Sequence, residues 1–561
     1  MGHKICIGKC MIKYLMTAGI FLTLFVSCNS QSKQNTENGG TGSNGEKSEL
    51  EKKVSKRDAS INSSNAYNNL FFDSMVLVKF IADNKVNDTL TRRMISFYNA
   101  RNYQFAWFSN NGLTEQARGF WNMHNYQTTY GSDSTLNDKA LQKRMDDYSE
   151  EAAGFPVTVS DKNIMNTELK LTQHFIMYML NNVEDGFIKR KEMERFVPRK
   201  KEDPLYIADS LLTKKHKDDK YYEETNTAYK ALKTGLEKYV AIAKLGGWPQ
   251  VTGSAKQLKK GISSPAVLQL KKRLQVTGDM AADTTPVFND ALEAGIRNIQ
   301  PRFGYNATGV ITDALLKDLN VPVLERIKQI LLNMGRMQWM IQEPKGQMIV
   351  VNIPEFILHV KDGPQKVFDM NVVVGKEGHN TVLFTGILNQ VVFSPYWNVP
   401  PSIVRKEIMP AMNRNPGYLA SQNMEITGNE GGLPVVRQLP GAKNSLGKVK
   451  FLFPNSFNIY FHDTPAKALF EKDKRAYSHG CIRLNDPVKM ANYLLKDDPQ
   501  WPADKIDDAM NSGSEKYVKL KNPVPVLITY YTAWVDDSGV LHFAEDIYDH
   551  DKTIMQKMFI N

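Results

Sequence analysis

A chain of 561 residues, of which 42% are hydrophobic and 23% charged, can bury several cores, so a largely disordered protein is excluded. This length favours three or four domains. The net charge of +11 comes from scattered Lys and Arg residues, and the short basic clusters at 199–201 and 214–217 accompany no nucleic-acid-binding motif. The charge therefore indicates a solvated basic surface and no nucleic-acid partner, while an anionic envelope polymer stays open as a partner.

The first residues carry the pattern of an exported lipoprotein. Lysines precede an apolar run over 14–26, which is too short to span a bilayer comfortably. Cys28 follows this run, and the sequence ending there resembles a bacterial lipobox. That resemblance implies cleavage before Cys28 and lipidation of its thiol; an ordinary signal peptide with a chance cysteine is the alternative. Residues 1–28 are thus predicted to be a lipoprotein signal peptide that starts at Met1 or Met11.

The cysteine count follows from this prediction. The chain has four cysteines, at Cys6, Cys10, Cys28 and Cys481. With the first two removed and Cys28 lipidated, Cys481 would be the single free thiol of a periplasmic protein, so no disulfide framework is expected. The lipid would hold the chain at the inner or outer membrane. Asn29 is not the Asp that retains lipoproteins at the inner membrane, which favours the outer membrane.

The next two segments differ in composition. Residues 29–65 are rich in Ser, Asn and Gly and are predicted to form a flexible tether. Residues 66–246 are predicted to be a helical scaffold domain, and the many aromatic residues within 100–124 are typical of its core. His124 and His174 lie in amphipathic stretches of this domain. Both are interpreted as packing residues, because the sequence shows no partner cluster near them.

A smaller helical segment follows. Residues 247–322 contain three predicted helices around a turn at 308–312, and this pattern resembles a small peptidoglycan-binding module. The helices are predicted over 265–275, 288–300 and 309–319. Residues 323–346 are predicted to form a linking helix that Pro344 closes.

From Gln347 the hydrophobic pattern changes to that of β-strands, which predicts a mainly-β domain over 347–548. The Gly-, Asn- and Pro-rich stretch 412–448 is predicted to be an insertion in this domain, and such insertions often act as lids. The predicted fold class is therefore multidomain α+β. The predicted strands lie at 348–353, 355–361, 367–374, 391–397, 449–461 and 524–531, with a hairpin turn at 535–540.

Cys481 lies close to two histidines that can activate it. The thiolate is the nucleophilic form, and a neighbouring His can lower the ordinary thiol pKa of about 8.5 by forming an ion pair. His479 is two positions away, and His462 follows the alternating segment 457–461, so that two adjacent strand ends can bring His462 to the thiol. Gly480 permits unusual dihedral angles beside the nucleophile, and the backbone N–H groups of Gly480 and Cys481 are candidate oxyanion donors. This constellation suits acyl transfer through a thioester.

Two motifs, over 462–465 (HDTP) and 477–484 (YSHGCIRL), resemble the signature of YkuD-type L,D-transpeptidases. The resemblance is strongest to the large, multidomain Gram-negative branch of that family. Further stretches that match this branch lie at 394–403, at 439–455 and, in the helical scaffold, at 97–107. The resemblance covers nearly the whole mature chain and implies that 347–548 is the catalytic domain.

The resemblance also implies a role for each motif position. Cys481 corresponds to the nucleophile, His462 to the His that activates it, and His479 to a second His that shapes the site. The acceptor that orients His462 is left open, with Asp463 as its neighbour in sequence. A zinc site is disfavoured because no fourth ligand is apparent. The implied substrate-binding residues are Arg483, where smaller members of the family carry Asn, and Ser478, Tyr460 and Trp397.

The function implied is the formation of 3→3 peptidoglycan cross-links. Cys481 would attack the third residue of a tetrapeptide stem, which is meso-diaminopimelate, and release D-Ala. The side-chain amine of a neighbouring stem's diaminopimelate would then resolve the thioester. No cofactor or metal is required, carbapenems are expected to acylate Cys481, and penicillin-binding proteins are candidate partners. Two alternatives stay open: an L,D-carboxypeptidase or trimming hydrolase with water as acceptor, and a non-catalytic, lipid-anchored wall-binding protein that uses 247–322.

Overall fold

The computed structural model describes residues 54–130, 134–150, 154–182, 197–213, 226–339 and 346–560. The predicted signal peptide, with the lipidation predicted at Cys28, and most of the tether lie outside these ranges. None of the helices within them is long and apolar enough to cross a membrane.

The first part of the described chain is helical, as its hydrophobic spacing predicts. Asp73 and Asn87 cap two of the helices by accepting hydrogen bonds from backbone N–H groups that would otherwise lack partners. The aromatic residues predicted to form a core do so, and Phe105, Trp107 and Phe120 are fully buried. The helices are α1 (Ser74–Asp83), α2 (Asp88–Asn99), α3 (Glu115–Tyr130), α4 (Lys139–Glu150), α5 (Lys162–Asn182), α6 (Pro204–Leu212) and α7 (Thr227–Lys244), with a short hairpin of β1 (Phe108–Ser109) and β2 (Gly112–Leu113).

The two histidines of this region do have partners. Nε2 of His124, on α3, lies 3.0 Å from Nδ1 of His174, on α5. Asp138 lies 3.7 Å from Nε2 of His174. Burial lowers the pKa of His124 to about 3 and that of His174 to about 4. The two residues pack in the core as predicted. The interpretation that they have no partner is wrong, because the packing of α3 on α5 brings His124 and His174, fifty residues apart in sequence, into contact.

The smaller helical segment and the linking helix follow in the predicted order. Its helices are α8 (Pro265–Thr277), α9 (Asp290–Ile299) and α10 (Asp313–Leu319), and the linking helix is α11 (Val323–Met337). On α11, the buried Arg336 forms ion pairs with Glu115 at 2.7 Å and with Asp551 at 2.6 Å. Asp551 belongs to the last helix of the chain, so Arg336 ties the scaffold, the linking helix and the C-terminus together.

The mainly-β region predicted from Gln347 is confirmed, and its centre is a nine-stranded sheet among the described residues. The strands of this region are β3 (Gln347–Asn352), β4 (Ile357–Asp362), β5 (Gln365–Gly375), β6 (Phe384–Phe393), β7 (Trp397–Asn398), β8 (Met424–Glu430), β9 (Leu433–Gln438), β10 (Val449–Leu452), β11 (Phe461–His462), β12 (Ala476–Ser478), β13 (Ile482–Leu484), β14 (Lys516–Thr529), β15 (Ala533–Val535) and β16 (Leu541–Phe543). The strand order of the nine-stranded sheet is β12-β5-β13-β11-β10-β6-β14-β3-β4. Because β4 also pairs with β5, the strands from β5 to β4 close on themselves.

The strand predicted over 449–461 is interrupted. It forms β10 and β11 with an irregular segment between them, in which Asn458 has a φ of +54°. The side chain of Asn455 stabilises this segment by accepting hydrogen bonds from the backbone N–H groups of Phe457 and Ile459. This loop matters because it carries the backbone beside the predicted nucleophile.

The insertion is larger than predicted. It leaves the sheet after β6 and returns at β10, so we define it as residues 394–448 instead of 412–448. It has its own three-stranded sheet, in the order β7-β9-β8, and its own apolar cluster. Val399, Ile403 and Val404, which precede the predicted boundary, belong to that cluster. Its helices are α12 (Pro401–Ile403), α13 (Met409–Arg414) and α14 (Tyr418–Ser421), with a π-turn, Val404–Ile408, between the first two. The remaining helices of the described chain are α15 (Pro487–Leu495), α16 (Ala503–Asn511) and α17 (His550–Met558).

Candidate active site

Two short parallel strands bring the motif residues together. In the pairing of β11 with β13, His462 lies opposite Arg483, and the backbone N–H of Ile482 donates to the carbonyl of Tyr460 at 3.2 Å. Side chains alternate along a strand, so this register puts Tyr460, His462, Cys481 and Arg483 on one face of the sheet. The sequence predicted that adjacent strand ends would bring His462 and Cys481 together, and the register agrees with it.

The thiol of Cys481 is in a protected environment. It donates to the carbonyl oxygen of Asn458 at 3.6 Å, and the side chain and backbone of Tyr460 also lie within hydrogen-bonding range. Although the residue keeps some solvent exposure, its burial among protein atoms raises the thiol pKa to about 11. The hydrogen bonds from Tyr460 and the charge of Arg483 act in the opposite direction but are outweighed. Cys481 therefore rests as a neutral thiol.

His462 is held as a neutral base. Its side chain is buried, and Nδ1 lies 2.5 Å from the backbone carbonyl of Asp463, which leaves Nε2 unprotonated when Nδ1–H donates. Burial, followed by the charge of Arg483, lowers the pKa of His462 to about 3. The resting state is thus a neutral thiol and a neutral imidazole on one face of the sheet, which differs from the ion pair expected from sequence. The difference arises because burial disfavours both charged forms.

The partner of His462 that the sequence left open is a backbone group. The carboxylate of Asp463 points elsewhere: it accepts from the backbone N–H of Lys448 at 2.9 Å and pairs with Lys467 at 2.8 Å. Gly447 permits this approach, since a Cβ there would collide with the Asp463 carboxylate. These contacts fix the Asp463 backbone and, through its carbonyl, the ring of His462.

The turn before the nucleophile is closed by Ser478. Its hydroxyl donates to the carbonyl of Cys481 at 2.6 Å and accepts from the backbone N–H of Gly480 at 3.1 Å. Gly480 has a φ of +115°, which favours glycine. The N–H of Gly480, predicted as an oxyanion donor, is therefore engaged inside the turn. The described residues provide no acceptor for the N–H of Cys481, so this group is the better oxyanion donor. Ser478, predicted to bind substrate, is buried and shapes the turn instead.

A buried network that sequence analysis missed supports this turn from behind. Thr381 donates through Oγ1 to the carbonyl of Gly480 at 2.8 Å and accepts from the N–H of Gly375 at 2.9 Å. The hydroxyl of Tyr548 donates to the carbonyl of Gly375 at 2.6 Å and accepts from the N–H of Thr381 at 3.3 Å. Thr381 and Tyr548 lie far from the motif in sequence and are not part of it, so no local signal identifies them.

The other predicted positions are distributed around the thiol and the insertion. The side chain of Arg483 is partly exposed, and its positive charge suits the predicted contact with a substrate carboxylate. Trp397 lies in the insertion, where it pairs with Gln438 and packs against the insertion's apolar cluster. His479 points to the insertion as well, with Nε2 at 2.8 Å from Glu407. No group of three or more His, Cys, Asp or Glu residues in the described ranges could hold a metal ion.

The raised thiol pKa predicts the pH dependence of chemical labelling. Because the thiolate is the reactive form, alkylation of Cys481 by iodoacetamide should keep rising above pH 8.5, towards an apparent pKa of about 11. The rate can be followed by mass spectrometry of the peptide that contains Cys481, with free cysteine as the reference reaction. A plateau below pH 7 would instead show a resting thiolate–imidazolium pair.

The region that holds this site is similar to the YkuD L,D-transpeptidase catalytic domain. Residues 346–507 match the family model of that domain, and residues 92–236 match the model of a scaffold domain. The chain is 30% identical over 222 residues to a Haemophilus influenzae protein named as an L,D-transpeptidase. That match covers 37% of this chain and 45% of the relative, so it spans about half of the relative's length.

Solved structures of L,D-transpeptidases are also similar. The one from Mycobacterium smegmatis is 12% identical, with 33% of this chain and 58% of that chain covered, at a TM-score of 0.19. The one from Stackebrandtia nassauensis is 16% identical, with 49% and 97% covered, at a TM-score of 0.20. Both TM-scores lie below 0.5, so the assignment of the domain rests on the family models and the Haemophilus relative.

Proposed function

We propose that this protein is a peptidoglycan L,D-transpeptidase that forms 3→3 cross-links through a thioester on Cys481. The observation that carries the proposal is the register of β11 with β13, which sets Cys481 and His462 on one face within the L,D-transpeptidase domain. A thiol nucleophile on the same face as a neutral His, with a backbone N–H available for an oxyanion, provides the groups that acyl transfer requires.

The first half-reaction uses these groups in sequence. His462 takes the thiol proton at Nε2 as Sγ bonds to the carbonyl carbon of the third stem residue, meso-diaminopimelate. The oxygen of that carbonyl becomes an oxyanion, which the N–H of Cys481 stabilises. The intermediate collapses to a thioester, and D-Ala leaves as an amine with the proton that His462 held. The guanidinium charge of the partly exposed Arg483 is suited to hold a carboxylate of the stem.

The second half-reaction transfers the acyl group to an amine. The side-chain amine of diaminopimelate in a neighbouring stem attacks the thioester and loses a proton to His462. The C–S bond then breaks, Sγ recovers the proton, and an amide joins the two stems. Water at the same position would give a tripeptide, which is the product of an L,D-carboxypeptidase.

The rest of the chain supports a place at the cell wall. We propose that Cys28 carries lipid, that residues 29–65 tether the enzyme in the periplasm, and that 247–322 binds peptidoglycan. The outer membrane is the favoured site of anchoring because Asn29 follows Cys28. Penicillin-binding proteins are the candidate protein partners, and carbapenems are the expected covalent inhibitors of Cys481.

Incubation with purified disaccharide-tetrapeptides, followed by mass spectrometry, tests the function. The expected products are 3→3 cross-linked dimers and free D-Ala. Tripeptide monomers without dimers would contradict the transpeptidase and support the hydrolase. If neither product forms, and no covalent carbapenem adduct appears, the chain would instead fit a non-catalytic wall-binding protein.

A further inference from the structure

A carboxylate of the insertion contacts the nucleophile's own turn. Oε1 of Glu407 lies 2.8 Å from Nε2 of His479, which is two residues before Cys481. The side chain of Glu407 is 51% exposed and that of His479 is 29% exposed, so the contact lies near the surface, two residues from the nucleophile. The proposed mechanism gives Glu407 no role.

The position of Glu407 is determined by the core of the insertion. Glu407 lies in the π-turn Val404–Ile408, and π-turns occur frequently at functional sites. The two ends of this turn, Val404 and Ile408, are buried in the apolar cluster of the insertion together with Val436 of β9. With these residues turned inward, Glu407 is exposed on the opposite side. The carboxylate is therefore anchored to the core of the insertion.

The other end of the contact is fixed to the sheet. Gly480, directly after His479, has its carbonyl held by Thr381. The ring of His379 packs edge-on against His479, with 4.9 Å between the ring centroids. Two cations, Lys376 and Lys406, also act electrostatically at this corner. His479 thus joins the insertion to a turn that the sheet holds in place.

We propose that Glu407 is a positioning residue, which holds the insertion against the nucleophile turn through His479. Its contact keeps the mouth of the site narrow while the thioester waits for an amine, and so disfavours water as the acceptor. This proposal rests on the proposed function where it concerns the acceptor. Its physical core, that Glu407 controls access to Cys481, does not depend on which acyl group is transferred.

Access to the thiol is the first test. Glu407→Ala should speed modification of Cys481 by a bulky maleimide by a factor of about two to five, the range expected for the loss of one exposed hydrogen bond. Glu407→Gln should be modified at the same rate as the original protein, since the amide oxygen of Gln can still accept the hydrogen bond from His479. Glu430→Gln, at the exposed turn between β8 and β9, is the matched control and should change nothing. Modification is read by mass spectrometry at the Cys481 peptide of the full chain.

A double-mutant cycle shows whether the two residues act through each other. If they do, adding Glu407→Ala to His479→Ala should have no further effect on the modification rate. Equal rates for Glu407→Ala and the original protein, or a fully additive double variant, would overturn the positioning role. A modification rate for Glu407→Gln as high as that for Glu407→Ala would also overturn it, because the amide oxygen of Gln should still accept the hydrogen bond from His479.

The acceptor is the second test. In the assay with disaccharide-tetrapeptides, Glu407→Ala should raise the ratio of tripeptide to cross-linked dimer by about the same factor. If the ratio of tripeptide to dimer is unchanged while Cys481 is modified faster, Glu407 controls access to the thiol but does not influence the choice between amine and water as acceptor. If the original protein forms neither product, the proposed function fails, whereas the modification rates still decide whether Glu407 positions the insertion.

Discussion

Cys481→Ala should abolish cross-link formation and the covalent carbapenem adduct, with turnover lowered by about 10⁴-fold or more. The reason is that the proposed thioester requires Sγ, whereas the mechanism assigns proton transfer to His462 and anion binding to Arg483, which lie on the same face of the sheet. The loss is measured as dimer formed from disaccharide-tetrapeptides and as the mass of the intact protein after exposure to a carbapenem.

Two controls separate chemistry from folding. The side chain of Cys481 is partly exposed and its replacement by Ala removes only the sulfur, so the melting temperature should change little. Cys481→Ser keeps a hydrogen-bond donor towards Asn458 but provides a much weaker nucleophile, so it should fold as well and turn over very slowly. Dimer formation and adduct formation that persist in Cys481→Ala would contradict the enzymatic function altogether.

The chemistry of this site could be predicted from sequence because its residues are local. The motif over 477–484 carries the nucleophile, its turn and Arg483 within one short stretch, and His462 ends a strand that pairs beside them. Such short stretches determine their own backbone and can be recognised together. The part of the site that could not be predicted is its support. Thr381 contacts Gly480, and Tyr548 contacts Thr381 and Gly375, only because the fold brings these distant positions together.

The strand boundaries show a second limit. Hydrophobic alternation predicted the β-rich domain, but the strand over 449–461 is interrupted and β6 ends before 397. Both breaks lie at residues with positive φ, Asn458 and Ser394, whose conformations are set by hydrogen bonds to distant or turn residues. The insertion therefore begins earlier than its Gly- and Asn-rich composition indicated.

The protonation state of the site is the third limit. The histidines near Cys481 in the sequence predicted a thiolate–imidazolium ion pair that lowers the thiol pKa, because a sequence shows which charged groups are neighbours but not how deeply they are buried. Burial acts in the opposite direction and depends on the whole fold: it raises the pKa of Cys481 and lowers that of His462. With both groups neutral at rest, the proposed mechanism places activation in a proton transfer from Cys481 to His462 as the substrate binds.

Because the proposed mechanism needs His462 as the general base, its replacement should have the second large effect on catalysis. His462→Gln should lower kcat by about 10²–10⁴-fold, the contribution of a positioned general base, and should leave KM nearly unchanged. The thiol would still be present, so slow alkylation of Cys481 should persist in this variant and show that the site is folded. The measurement is the pair of kcat and KM values for cross-linking or D-Ala release.

Asp463→Asn is the matched control, because His462 contacts the backbone carbonyl of Asp463 and not its carboxylate. The amide oxygen introduced by this substitution can still accept from the N–H of Lys448, while the ion pair with Lys467 is lost. As that pair is partly exposed, the change should lower kcat by no more than about fivefold. A loss as large as that of His462→Gln would mean that the carboxylate itself orients the ring, and the backbone carbonyl would no longer be the third member of the catalytic set.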